Sequence, residues 1–260
     1  MKPSRRPVLR LLGAALFSLG LDLGLAHHAS AQSTPESIKA RGTIVIGNGA
    51  AFPPFEFVEN GQLVGFDIDL GNEIARRMGV KAQWEKTDFS GLIASLTSRR
   101  VDVLITAMTK TPQRAERMAF STSYYNSGIA AAARPGVNVA SAADLAGKIV
   151  AVQGGSSGER FVKDEYGSVV KQIKVFNEFP LAFADVETGR ADVVVNTLPV
   201  LKYNASRRGG KLLVSPAFDT REVGINTRLE DTALLQEINR LLDELRRDGF
   251  LDRLDRKWFQ

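Results

Sequence analysis

The chain of 260 residues contains no cysteine. Disulfides, thiol catalysis and cysteine-based zinc sites are therefore excluded. Histidine is almost as scarce, and both copies, His27 and His28, fall in an N-terminal segment that reads as an export signal. Past that segment neither His nor Cys remains, which excludes Ser-His-Asp and Cys-His catalysis. Long apolar runs are also missing: beyond the first segment nothing approaches the roughly 18 apolar residues of a membrane span. There is no cysteine to carry a lipid anchor.

The first segment has the three parts of a signal peptide. Ser4-Arg5-Arg6-Pro7-Val8-Leu9-Arg10 gives a basic start, residues 11–26 are apolar except for Asp22, and Ala29-Ser30-Ala31 forms an A-x-A cleavage site. Residues 1–31 are expected to be removed, with export to the periplasm by the Sec or the twin-arginine route; both stay open. Lys2, Arg5, Arg6 and Arg10, less Asp22, carry three of the five net positive charges. The remainder is left at +2, and a nucleic-acid partner loses its electrostatic support. No cofactor is expected.

What the sequence does have is concentrated in residues 101–125, VDVLITAMTKTPQRAERMAFSTSYY. Val103-Leu104-Ile105 is an apolar run of buried-strand type. Thr111 can cap a helix that begins at Pro112, where the missing N–H costs nothing. Arg114 follows within the first turn, beside the Thr109 hydroxyl. A guanidinium, a hydroxyl and a helix start together make a receptor for a small anion, most naturally a carboxylate.

The same plan recurs along the chain. Residues 43–47 and 81–86 read as strands, and a helix beginning near Gly65 stops at Gly79. In the loop of residues 48–57, Pro53 and Pro54 prevent helix and hold Phe52 and Phe55 in place. Phe55 and Phe57 are expected in the core, with Phe52 on the wall of a pocket. Asp67 and Asp69 are expected to be structural, capping the helix start. Asp88-Phe89-Ser90-Gly91 precedes a helix that leads to the strand at Val103. Alternation of strand and helix implies a parallel sheet covered on both faces, with ligands at the carboxyl ends of its strands. Phe52, Phe89, Thr109 and Arg114 all fall just beyond strand ends.

A second round begins near Ser141. Lys148-Ile149-Val150-Ala151-Val152 is a strand, followed by Gln153-Gly154-Gly155-Ser156-Ser157-Gly158. This glycine-rich loop lacks the lysine of a phosphate-binding loop. Its two hydroxyls at a helix start suit a carboxylate or a small polar group. Residues 189–196, GRADVVVN, echo residues 100–106, RVDVLIT, with Asp102 and Asp192 90 positions apart. Two lobes of similar α/β plan follow: residues 32–127 with 222–260, and residues 128–221. Leu235, Ile238, Leu241, Leu242 and Leu245 form an inward helical stripe near the end.

Five segments carry a family resemblance: Phe52-Pro53-Pro54-Phe55-Glu56-Phe57, Gly65-Phe66-Asp67-Ile68-Asp69-Leu70, Thr109-Lys110-Thr111-Pro112-Gln113-Arg114 with Phe120-Ser121, Gln153-Gly154-Gly155-Ser156-Ser157, and the run from Asp192 to Asn196. In order and spacing, from about Gly42 to Trp258, the chain resembles the extracytoplasmic solute-binding proteins of polar amino-acid ABC transporters. The resemblance implies two doubly wound α/β lobes joined by two hinge strands, the type II periplasmic binding fold, closing over a ligand. It implies that Arg114 binds the ligand's α-carboxylate, with Thr109, Ser156 and Ser157 completing the hydrogen bonds, and that Phe52 and Phe89 sandwich the ligand. Ala107, on the same loop as Thr109, is placed in the ligand-binding set.

One departure stands out. The family usually carries an aspartate for the ligand's α-ammonium where this chain has Asn196. An amide can hydrogen-bond an ammonium but cannot neutralise it. Either another acid such as Glu222 compensates, or the ligand is not an ordinary α-amino acid. Gly49, where cation-binding members tend to carry an acid, disfavours a basic side chain. The expected function is capture of a small carboxylate-bearing solute, a neutral or acidic amino acid or close analogue, by a monomer that delivers it to a membrane permease. Two rivals remain: a periplasmic dehydratase acting on a cyclic carboxylate, for which no buried acid facing the ligand is evident in the sequence, and an accessory or sensor protein with a different partner.

Overall fold

The computed structural model describes residues 33–259; the expected signal and its cleavage site lie outside them. Two five-stranded sheets organise the chain. In the first, the spatial order is Lys81–Lys86, Thr43–Asn48, Val103–Leu104, Asn226–Thr227, Ala119–Phe120. In the second it is Gln172–Phe176, Ile149–Gln153, Val193–Thr197, Ile129–Ala133, Leu213–Val214. The first three strands of each sheet are parallel, whereas the fourth opposes the third and the fifth opposes the fourth. The sheets are thus mixed rather than purely parallel. The extra strands adjoin the segments that pass between the lobes, and a chain returning in this way needs no helical crossover.

Tyr125–Ser127 and Arg221–Val223 pair antiparallel and form the two hinge strands. Gly128 follows the first of them. A Cβ there would lie 2.1 Å from the Asp219 carbonyl oxygen, so only glycine fits. Asp219 also accepts the Ile129 N–H at 2.8 Å, fixing the exit from the hinge.

Apolar periodicity explains the covering helices. In Thr232–Arg247, Leu234, Ile238, Leu241, Leu242 and Leu245 are buried on one face at helical spacing. Each fully buried leucine contributes about 1.5–3 kcal/mol. Phe250–Phe259 then folds its end onto the first lobe, where Phe259 meets Tyr125 at 4.8 Å and Phe55 at 5.2 Å between ring centroids. Phe55 is in the core as expected. The helix Leu198–Arg207, which starts directly after Thr197 with Pro199 in its first turn, is an element the sequence pattern did not reveal. Among the described residues no helix is long and apolar enough to cross a membrane.

The two aspartates at the start of Phe66–Met78 need a correction. The helix cap is Gly65, and no side chain caps it. Asp69 instead accepts from Lys257 Nζ at 2.7 Å and Trp258 Nε1 at 2.8 Å, anchoring the terminal helix. Asp67 is wholly buried and points toward the strand ends. Both are structural, but through tertiary contacts that lie nearly 190 positions away for Asp69 and 40 for Asp67.

Candidate functional site

The loop after Val103–Leu104 is held from beneath by acids. Ala107 has φ 46°, a conformation L residues seldom adopt. Its N–H is held by Asp67 Oδ2 at 2.6 Å and by the Tyr124 hydroxyl at 3.1 Å, while Tyr124 donates its own proton to Asp67 Oδ1 at 2.9 Å. Burial pushes the Asp67 carboxyl up to about 7, against the lowering effect of the Tyr124 and Ala107 bonds. Glu56 lies beside it, also fully buried, and accepts from Thr106 Oγ1 at 2.5 Å. Burial, then the charge of Asp67, drives Glu56 well above the usual carboxylate range. This acid pair was missed in the sequence reading. Its only signal there is the pair of acids within FEF and GFDID, of which Glu56 carries no expectation of its own and Asp67 reads as a helix cap.

Thr109 pairs with Val223 of the hinge, and Lys110 N–H donates to the Glu222 carbonyl at 2.8 Å, so the site loop is stitched to the hinge itself. Thr111 Oγ1 then accepts the Arg114 N–H at 3.3 Å and Pro112 takes the first helical position, as the sequence predicts. The helix, however, is only the four residues Pro112–Ala115. One turn with its N–H capped supplies little dipole or free donor capacity. Capacity for an anion therefore resides in side chains rather than in a helix start.

Arg114 is the largest of these and is 2% exposed. Its Nη1 donates to the Thr109 carbonyl and hydroxyl, both at 2.8 Å, and its Nη2 reaches the Gly155 carbonyl of the second lobe at 3.0 Å. The guanidinium carbon stands 5.6 Å from the Phe89 ring centroid, within cation–π range. Its Nε is buried with no hydrogen-bond partner. Burial first, then the charges of Arg160 and Arg221, lowers the Arg114 pKa to about 9. Every described contact of this cation is neutral.

From the second lobe, Ser156 caps the helix Ser157–Tyr166, its Oγ accepting the Glu159 N–H at 3.0 Å. Glu159 Oε2 in turn accepts the Gly155 N–H at 2.6 Å. The loop thus satisfies several of its own backbone donors, which weakens it as a main-chain anion cradle; the hydroxyl protons of Ser156 and Ser157 remain as donors. Gly158 brings this helix against the strand Val193–Thr197: a Cβ there would meet the Val195 carbonyl oxygen at 2.7 Å and Asn196 Cα at 3.3 Å. Asn196, 1% exposed, accepts the Thr197 N–H through Oδ1 at 2.7 Å, and its Nδ2 has no partner.

The structure brings Phe89, Thr109 and Arg114 together with the loop bearing Ser156 and Ser157, and Gly158 connects that loop to Asn196. Ala107 lies on the adjoining strained turn. Phe52 is buried at the seam between lobes, stacked on Phe55 at 6.2 Å and edge-on to Phe179 at 6.0 Å. Glu222 is exposed on its hinge strand. A separate groove of about 780 Å³ runs along the hinge, walled by Tyr125, Tyr203 and Trp258 among others, and none of the eight expected site residues lines it.

Comparison with known proteins agrees with this architecture. Residues 44–260 match the family of bacterial extracellular solute-binding proteins, family 3. The L-cystine-binding protein TcyJ of Escherichia coli (strain K12) is 32% identical over 226 residues, which cover 85% of this chain and 84% of that protein. Among solved structures, the P235GK mutant of ArgBP from T. maritima has a TM-score of 0.82 at 39% identity, covering 86% of this chain and 98% of that one. The ancestral amino acid-binding protein AncCDT-1, a precursor of cyclohexadienyl dehydratase, has a TM-score of 0.81 at 32% identity, covering 87% of this chain and 99% of that one. These named relatives are binding proteins, in keeping with a two-lobed molecule whose buried arginine reaches from one lobe to the other. With the family match spanning nearly the whole described chain, the protein belongs to the bacterial extracellular solute-binding proteins, family 3.

Proposed function

We propose that this protein captures a small carboxylate-bearing solute, an amino acid or close analogue, between its lobes in the periplasm and delivers it as a monomer to the permease of an ABC importer. Lobe boundaries at residues 127/128 and 221/222 suit this reading because the first falls at the end of one hinge strand, Tyr125–Ser127, and the second within the other, Arg221–Val223. The observation that carries it is Arg114: a deeply buried guanidinium with neutral partners on both lobes. An uncompensated buried charge is costly. A ligand carboxylate would restore its balance and would do so only when both lobes are in place, which couples binding to hinge closure.

In this reading Arg114 receives the carboxylate with Thr109, Ser156 and Ser157 adding hydrogen bonds, Ala107 shapes the loop, Phe52 and Phe89 give apolar walls, and Asn196 meets the ligand's polar end. The test is a thermal-shift screen of refolded, ligand-stripped protein against amino acids, their amides, and keto and dicarboxylic acids. Ligand at 100 times its dissociation constant should stabilise the fold by about 2.7 kcal/mol. Arg114→Ala should then cost about 3–5 kcal/mol of binding for the best ligand. Affinity retained within a factor of a few would remove Arg114 from the site.

A further inference from the structure

Asn196 does more than lack a charge. Because its Oδ1 is engaged by the Thr197 N–H at 2.7 Å, the orientation of the amide is set, and the group left over is the Nδ2 donor. A ligand ammonium, which carries only donors, would meet a donor there.

The surroundings have the same sign. Arg160 lies one helical turn beyond Ser156, in the helix that Gly158 packs against the Asn196 strand. Its Nε is buried without a partner, and it enters no ion pair among the described residues. It is near enough to Arg114 to depress that group's pKa. The neighbouring acids are committed elsewhere: Glu159 to Gly155 N–H and Lys163, Asp219 to Arg221, Glu178 to Lys86. Glu222 is exposed. Two unpaired oxygens remain nearby: Thr197 Oγ1, on the next residue of the strand, and Gln153 Oε1, which continuation of the parallel register places level with Asn196. A neutral carbonyl or hydroxyl oxygen can take one hydroxyl or N–H but cannot offset a full positive charge.

We propose that Arg160 and Asn196 form a second anion-recognising end of the cleft, so that the solute is a compact dicarboxylate or its hydroxy or keto analogue, without a cationic α-amino group. Gln153 then reads the hydroxyl or lies beside the carbonyl. This inference rests on the reading that Arg114 takes the first carboxylate.

Titration calorimetry on the refolded protein separates the two claims. The probes are succinate, malate and 2-oxoglutarate, with butyrate as the one-carboxylate control and glutamate, glutamine and arginine as the ammonium-bearing set. The expected result is at least about tenfold tighter binding of a dicarboxylate than of any amino acid or of butyrate, a difference well within measurement. Arg160→Gln should weaken the dicarboxylate at least about tenfold and leave butyrate within about threefold, since only the second acid is affected. Asn196→Asp should move preference toward glutamate. Unfolding midpoints of both variants within a few degrees of the parent would show that the fold is kept. Tight binding of an amino acid that Arg160→Gln does not change would overturn the proposal, as would silence from every dicarboxylate at millimolar concentration. If Arg114→Ala leaves dicarboxylate binding intact while Arg160→Gln abolishes it, the Arg114 reading fails and the second site stands by itself.

Discussion

The two lobes solve one backbone problem twice, with the same residue types 90 positions apart, and then part company. Asp102 Oδ2 accepts the Val45 N–H at 2.8 Å, and Asp192 Oδ2 accepts the Ile149 N–H at 2.8 Å. Each aspartate ties the entry of one strand to the neighbouring strand. Beneath it an arginine from an antiparallel segment gathers two carbonyls. Arg228 donates to Leu96 at 2.9 Å and Val101 at 2.7 Å; Arg134 donates to Val186 and, at 3.0 Å, to Ala191. The difference lies in charge balance. Arg228 is paired with buried Asp231 at 2.7 Å and reaches Ser33 Oγ, which donates to Asp102. Arg134 has no carboxylate partner among the described residues. Above the strands the contrast is larger: the first lobe carries the acid-supported loop to Arg114, and the second runs straight from Thr197 into a helix. The framework is repeated, and the binding chemistry is not.

Breaking the two arginines should show the largest asymmetry. Arg228→Ala strands Asp231 in a buried setting and should cost about 3–5 kcal/mol of folding stability. Arg134→Ala orphans only carbonyls and should cost about 1–3 kcal/mol. Urea midpoints for both variants measure this, and equal losses would mean that the ion pair adds nothing to the first lobe.

The next effect is confined to the first lobe, because the position 90 residues on from Asp67 is Ser157. The Asp67 carboxyl is raised from an ordinary 3.8 to about 7 in the fold. A raised acid favours the protonated folded form. Its contribution is therefore complete below about pH 4 and is lost as pH climbs toward 7. Glu56 shifts in the same direction. Unfolding temperatures should decline across that window, and Glu56→Gln, which keeps the shape without the charge, should flatten the decline. An unchanged pH profile in that variant would dissociate the pair from the trend. The smallest effect is expected from Thr109→Val, which removes one of the Arg114 hydrogen bonds and should weaken ligand binding by about 0.5–1.5 kcal/mol, read by calorimetry.

Much of the frame was legible because it rests on local rules. Apolar runs marked the buried strands, Gly79 marked a helix stop, and Thr111-Pro112 announced a capped turn that is present with the expected bond. The Asp102–Asp192 echo pointed to a real repeat. Local rules misled where tertiary contacts decide. Acids at a helix start look like caps, yet Asp67 and Asp69 serve a distant amide and a distant indole. Arg134 and Arg228 occupy no motif at all, since the carbonyls they gather are brought near only by sheet assembly. At the candidate site, residue types pointed to Arg114 and Thr109 and the family resemblance to Asn196, but which atom of Asn196 is left without a partner depends on a hydrogen bond to Thr197 that composition does not encode.

The clasp from Arg114 to the Gly155 carbonyl has a kinetic meaning. All but Phe89 of the residues expected to hold the solute are buried, and in the proposed reading the same guanidinium is both receptor and latch. A captured solute could leave only after the lobes part. Its residence time would then be set by the frequency of hinge opening, and arrival at a partner that pries the lobes apart would act on the clock of release before it acted on affinity.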